Sequence, residues 1–255
     1  MAIFRGVIRS DVLDMDTPLQ VIVPFDHFDH AAHTCLGHYD KTLVLLHGLR
    51  QNGEAWARMS GVERYARDYG YCVVMPDAQR SFYTDMAQGM RFFTYLNEEL
   101  PWALEKVFRL PMDRLYVGGL SMGGQGAIKC ALTYPRRYAG ALCLSSGFGM
   151  LHYPEQVIAG AFYSREELQG VIGPDLKASP QDDPLALAEQ AAGEARKPRI
   201  YLACGTEDYL YAANTRMRDH LQALGYDLQY EEWPGIHNWE FWDAGLRRGM
   251  AWLAG

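Results

Sequence analysis

The chain has no long apolar run. None of its stretches reaches the ~18 consecutive apolar residues that a membrane-spanning helix needs. It also lacks a basic excess: Lys and Arg number 24 against 31 Asp and Glu, a formal net charge of −7. Without cationic surface to neutralise phosphates, nucleic acid and anionic membrane surfaces are poor partners. Cysteine is scarce and unpatterned. Cys35, Cys72, Cys130, Cys143 and Cys204 are odd in number, hold no CxxC spacing, and four of them lie in apolar runs. The N-terminal stretch Met1–Asp11 is interrupted by charge too early for a signal peptide, so the expectation is a reduced, cytoplasmic protein. Internal repeats, low-complexity tracts and Pro/Gly/Ser linkers are missing too, which leaves one domain over residues 1–255.

What the chain does have is alternation. Phe4–Ile8 and Leu19–Val23 read as an antiparallel pair opening a sheet. Thr42–Leu46 is a continuous apolar run, as expected of a strand covered on both faces. Asn52–Tyr69 carries Trp56, Met59, Val62 and Ala66 at helical spacing. Strands are then expected at Tyr71–Met75, Arg114–Val117, Tyr138–Leu144, Arg199–Ala203 and Leu228–Glu232. Between them helices are expected at Phe92–Phe108, Met122–Thr133 and Asp208–Leu224, with a closing helix over Trp239–Leu253. This order predicts an α/β protein with a mostly parallel, twisted sheet and helices on both faces. Ligands in such sheets collect at the carboxyl ends of the strands. Residues 147–197 break the rhythm, with Pro154, Pro174, Pro180 and Pro184 among short helical patterns. A structureless loop of that length is unusual, so this segment is expected to be a helical cap insertion above the carboxyl edge.

Gly119-Leu120-Ser121-Met122-Gly123 is a G-x-S-x-G pattern. The five residues alone are weak evidence, but they follow an apolar strand and open a helix, which is the setting of a nucleophile elbow. A serine on so sharp a turn needs neighbours without bulk at plus and minus two, and Gly119 and Gly123 meet that need. Acyl transfer also requires donors aimed at the oxygen that becomes negative. The backbone N–H of Met122 is the first expected oxyanion donor. The second is that of Leu49, in the turn His47-Gly48-Leu49-Arg50-Gln51-Asn52 after the Thr42–Leu46 strand. In elbow hydrolases an acid and then a histidine follow the serine. Asp208, past the Arg199–Ala203 strand, is preferred to Glu207 because it would begin a helix whose N–H groups fix a short side chain. His237 sits in a loop between the last strand and the closing helix, where it can reach the sheet edge. His47 is read as structural, and His152 and His220 as surface or packing residues.

These stretches together resemble the esterase D-like, tributyrin esterase group of α/β-hydrolases, relatives of the S-formylglutathione hydrolases. The resemblance runs through LLHGLRQNGEAW (Leu45–Trp56), VMPDAQRSFYTDM (Val74–Met86), EELPWALE (Glu98–Glu105) and GGLSMGGQGAIKCALTYP (Gly118–Pro135), then CGTEDYLY (Cys204–Tyr211) and PGIHNWEFWD (Pro234–Asp243). It implies an α/β-hydrolase fold and hydrolysis of small acyl esters. It further implies Ser121, Asp208 and His237 at the triad positions, with Leu49 and Met122 at the oxyanion positions. HGLRQN and GLSMGG are also similar to stretches of bacterial mycolyltransferases, which transfer acyl groups to sugars.

The expectation is therefore a serine carboxylesterase working through a covalent acyl-serine, with a small-molecule ester as substrate and no cofactor. Acyl transfer to a sugar or other alcohol, and a non-catalytic hydrolase scaffold used for binding, are the alternatives. Monomer and homo-oligomer both stay open. Trp56, Phe82, Tyr83, Trp102 and Tyr153 are candidates for lining an acyl or alcohol pocket, although aromatics at helical spacing are more often core. The cluster over residues 26–38, dense in His, Asp and one Cys, has metal-capable side chains. No standard zinc spacing fits it, so it reads as a polar surface loop with no metal.

Overall fold

The computed structural model describes residues 1–25, 27–31, 34–36 and 39–255, and the side chains of 27–29 and 34–36 are outside that description. Its centre is an eight-stranded sheet in the order β1-β2-β6-β5-β7-β8-β9-β10. The strands are β1 (Ala2–Ser10), β2 (Met15–Val23), β5 (Lys41–Leu46), β6 (Tyr71–Pro76), β7 (Leu115–Leu120), β8 (Tyr138–Leu144), β9 (Arg199–Gly205) and β10 (Leu228–Trp233). β1 and β2 pair antiparallel and β2 runs antiparallel to β6; from β6 to β10 every neighbouring pair is parallel. The sheet is therefore mixed but mostly parallel, as the alternation predicts. A separate hairpin, β3 (His27–Asp29) with β4 (Thr34–Leu36), stands where a loop was expected. Most of the His/Asp cluster, including His33 and His38, lies outside the described residues, and so does the question of a metal there.

Two apolar clusters lie on the two faces of the sheet. Helices α1 (Ala55–Met59), α2 (Val62–Tyr69) and α10 (Trp239–Ala254) cover one, burying Trp56, Val62, Trp242 and Leu246. The other face carries α3 (Phe92–Thr94), α4 (Leu100–Lys106), α5 (Met122–Thr133), α8 (Pro184–Ala191) and α9 (Tyr211–Ala223). Residues 43–46 of β5, all of β6 and β7, and the last five residues of β8 are apolar because both faces are buried. Cys72, Cys130, Cys143 and Cys204 are free and buried in this core.

Two expected helices are interrupted. The Asn52–Tyr69 helix breaks between α1 and α2, where Ser60 is extended and the Gly61 N–H donates to Asp243 on α10 at 2.7 Å. The Phe92–Phe108 helix contains a π-helical segment over Tyr95–Glu99. Pro101 has no N–H to give the carbonyl four residues back, that of Asn97, which accepts from the Arg137 guanidinium instead. Residues 147–197 hold α6 (Pro154–Ala159), α7 (Arg165–Ile172), α8 and short 3₁₀ turns at Met150–His152 and Pro180–Asp182.

The strand order reverses at β5: β6 lies on one side of it and β7 on the other. Loops leaving the carboxyl ends of β5 and β7 therefore diverge and open a crevice between them.

Candidate active site

Six loops converge on that crevice, after β5, β6, β7, β8, β9 and β10. At the end of β7 the chain turns through Ser121, which has φ 53° and ψ −115°. A non-glycine residue in this region carries strain of roughly 1–3 kcal/mol, which persists only where neighbours over-determine it. Here the Ser121 N–H donates to Leu144 at 2.9 Å, and its carbonyl accepts from Gly147 at 3.0 Å. The two elbow glycines are required by contact. A Cβ on Gly119 would come within 2.4 Å of the Gly123 backbone, and one on Gly123 within 2.4 Å of the Leu46 carbonyl oxygen. Met122 heads α5, where first-turn N–H groups lack intrahelical acceptors and the dipole favours negative charge.

His237 lies in the loop between β10 and α10, whose first turn is capped by the Asn238 side chain accepting from Phe241 N–H. Its Nε2 stands 3.1 Å from Ser121 Oγ and its Nδ1 2.9 Å from Asp208 Oδ2. The imidazole is held edge-on by Trp242, at 4.8 Å between ring centres, and is flanked by the tilted ring of Tyr209 at 4.7 Å. Asp208 is buried. It stands three residues before α9, not at its start as expected, and is fixed instead by the Leu210 N–H at 2.9 Å from Oδ1. Burial works to raise the Asp208 pKa. The hydrogen bond and charge of His237, with the Leu210 N–H, outweigh it and hold the carboxyl below its ordinary value. Glu207, the rejected neighbour, faces elsewhere: its carboxylate accepts from Gly235 N–H at 2.5 Å and ties the β9 and β10 loops together.

The β5 loop is braced by His47, which is fully buried. Its Nε2 accepts from Ala78 N–H at 3.1 Å, so Nδ1 carries the proton and donates to the Gly48 carbonyl at 2.9 Å. Desolvation, partly opposed by that carbonyl and by Asp77, pushes its pKa down and keeps it neutral. Tyr83 donates its hydroxyl to the His47 carbonyl at 2.8 Å. Leu49 follows immediately, and lines the same pocket as Ser121, Met122 and His237. His152 is exposed and His220 bonds the Leu185 carbonyl at 3.1 Å, both away from this pocket.

The pocket at Ser121 has a volume of about 130 Å³. Of the five aromatic candidates only Phe82 lines it. Trp56 is buried with its indole N–H on the Leu46 carbonyl, Tyr83 is internal, Trp102 is exposed, and Tyr153 borders a different hollow. Sequence reasoning missed Arg50, Met150, Phe162, Tyr209 and Trp242, which complete the lining. Only Tyr209 had a signal to find it, its place beside Asp208. The others arrive from three separate segments.

No helix among the described residues is long and apolar enough to cross a membrane. Among the same residues no group of three His, Cys, Asp or Glu is placed to hold a metal ion.

The sequence model of the Esterase family matches residues 10–253. The chain belongs to the Esterase family. It is a serine carboxylic ester hydrolase of the α/β-hydrolase fold. An acetyl esterase of Caldicellulosiruptor saccharolyticus is 29% identical over 268 residues, spanning 100% of this chain and 98% of that one. Two solved structures from Staphylococcus aureus match it over its whole length. The substrate-bound fluorophosphonate-binding serine hydrolase FphF is 30% identical, with a TM-score of 0.86 and 98% of that chain covered. The S-formylglutathione hydrolase FrmB is 29% identical, with a TM-score of 0.81 and 99% covered.

Proposed function

We propose that this esterase hydrolyses short-chain acyl esters with Ser121 as nucleophile, His237 as general base and acid, and Asp208 as the group that orients the imidazole. The observation that carries the reading is the unbroken pair of contacts from Asp208 through His237 to Ser121, at 2.9 and 3.1 Å. His237 Nε2 takes the Ser121 proton as Oγ attacks the ester carbonyl, and then protonates the departing alcohol. A water repeats the sequence on the acyl-serine. Asp208, held ionised by the same contacts, keeps the Nδ1–H tautomer and stabilises the imidazolium. The N–H groups of Leu49 and Met122 receive the developing oxyanion.

The acyl group is short on this reading because the pocket is small, about 130 Å³, and walled by Phe82, Met150, Phe162 and Trp242. Met150 and Phe162 belong to residues 147–197, which supports a capping role for that segment over the single domain. A cytoplasmic location agrees with the four free, buried cysteines.

A panel of p-nitrophenyl esters of increasing acyl length tests the reading. Activity is expected to peak at acetyl to butyryl; a rise towards long chains would overturn the short-acyl assignment. A fluorophosphonate probe should add its mass to the wild type and not to Ser121→Ala. An unlabelled wild type would sink the nucleophile assignment.

A further inference from the structure

Three polar side chains outside the triad line the pocket: Arg50, which donates to the Ala161 carbonyl, Gln51, which accepts from the Gly48 N–H, and Tyr209. Tyr209 directly follows Asp208, and its ring lies 4.7 Å from the His237 ring on one side. On the other it stacks on Phe162, at 5.9 Å between centres and 29° between planes. The side chain is half-exposed and borders the same pocket as Ser121 and Arg50. Desolvation, with the Asp208 charge beside it, pushes its hydroxyl up to about 12 against the opposing pull of the Arg50 charge and the Ser121 hydroxyl. At neutral pH it therefore carries its proton and is a donor.

The position of this donor relative to the reaction follows from the imidazole. His237 Nε2 must reach Ser121 Oγ and, after attack, the leaving oxygen, so that oxygen sits on the imidazole side of the tetrahedral carbon. The oxyanion sits on the opposite side, under Leu49 and Met122. A phenol whose ring packs on the imidazole, and which borders the same pocket as Ser121, is thus beside the leaving group and not beside the oxyanion.

We propose that Tyr209 is a specificity-determining residue whose hydroxyl donates a hydrogen bond to the leaving-group oxygen of the ester, an inference that rests on the triad assignment above. As the bond from the acyl carbon to that oxygen breaks, the electron pair moves onto the oxygen. His237 supplies the proton that neutralises it. Tyr209 keeps its own proton throughout and stabilises the charge while it is partial. The help is greatest for poorly departing alkyl alcohols, whose oxygen carries the most charge, and least for acidic phenols.

The experiment is a series of acetate esters with leaving groups from p-nitrophenol through phenol to simple alkyl alcohols, assayed on wild type and Tyr209→Phe. kcat/KM reports acylation, the step in which the leaving group departs. Tyr209→Phe should lose little on p-nitrophenyl acetate and about 100-fold on alkyl acetates, the lower end of the range for one lost transition-state donor. Its plot of log kcat/KM against leaving-group pKa is then steeper than that of wild type. A purely structural role for the hydroxyl lowers every substrate by the same factor and leaves the slope unchanged, which would overturn the inference. A wild type inactive on the whole series would instead overturn the esterase assignment beneath it. Because Phe preserves the stacking on Phe162 and His237, an unchanged melting temperature is expected, and a Tyr209→Leu variant should show the same steepened slope.

Discussion

Lys129 Nζ lies 2.5 Å from an Asp182 carboxylate oxygen, with both side chains nearly sealed from solvent at 5% and 9% exposure. Lys129 stands on α5, the helix that begins just after Ser121, and Asp182 belongs to the 147–197 segment. The ammonium also lies 4.1 Å from the centre of the Phe93 ring, and Gln125 of the same helix donates to the Asp182 carbonyl at 2.9 Å. Through these contacts α5 and residues 147–197 are one packed unit.

Removing one partner of a buried pair leaves a desolvated charge without compensation, at a cost of about 3–5 kcal/mol. Asp182→Ala is expected to lose stability by that amount in urea unfolding. Lys129→Met combined with Asp182→Leu should recover most of the loss, since two apolar side chains of similar volume remove the buried charge. A single variant within ~1 kcal/mol of wild type would mean that water reaches the pair.

The approach of Gly123 to β5 gives a second test. A Cβ there would lie 2.4 Å from the Leu46 carbonyl oxygen and 2.8 Å from that of His47, so the strand end leading to Leu49 must move. Gly123→Ala should cost roughly 1–3 kcal/mol from overpacking and lower kcat/KM by about 10–100-fold through a displaced oxyanion loop. Gly6→Ala on β1, where no atom lies within 4 Å of the new Cβ, is the control and should stay within about 0.5 kcal/mol. Equal behaviour of the two variants in melting and kinetics would contradict this.

His47 makes the fold sensitive to mild acid. Its pKa is pushed down by burial, so between the ordinary value of about 6.5 and the lower folded value the unfolded chain binds a proton that the native chain does not. Stability then falls as pH falls below about 6.5, by up to ~1.4 kcal/mol per pH unit from this group. His47→Gln can keep an acceptor for the Ala78 N–H and removes the titration. Urea midpoints followed from about pH 7 to about pH 5 should fall less steeply for this variant than for wild type. Parallel slopes would place the acid sensitivity elsewhere.

Much of the fold was legible because a strand buried on both faces must be apolar throughout, as Thr42–Leu46 and Tyr138–Leu144 are. The meeting of Ser121, Asp208 and His237 was legible for a related reason. Each stands in the loop at the end of a parallel strand, and such loops all open on one edge of the sheet. The break before α2 was not readable, since the group that ends α1's course is the carboxylate of Asp243, far along the chain. Pro101 was visible, but the π-helical segment depends on Arg137 accepting the role of donor to the freed Asn97 carbonyl.

The sequence by itself determined the α/β alternation, the need for glycine on either side of Ser121, and the order in which serine, acid and histidine arrive. These follow from short-range rules: burial periodicity, turn sterics and loop placement. Only the tertiary structure decided which of two adjacent carboxylates, Asp208 or Glu207, faces the imidazole, and which side chains surround Ser121. Phe82, Phe162 and Trp242 come from separate segments, and no local pattern records a contact made by the packing of distant elements. The turn at Ser121 is written in five residues; the pocket around it is written in the whole fold.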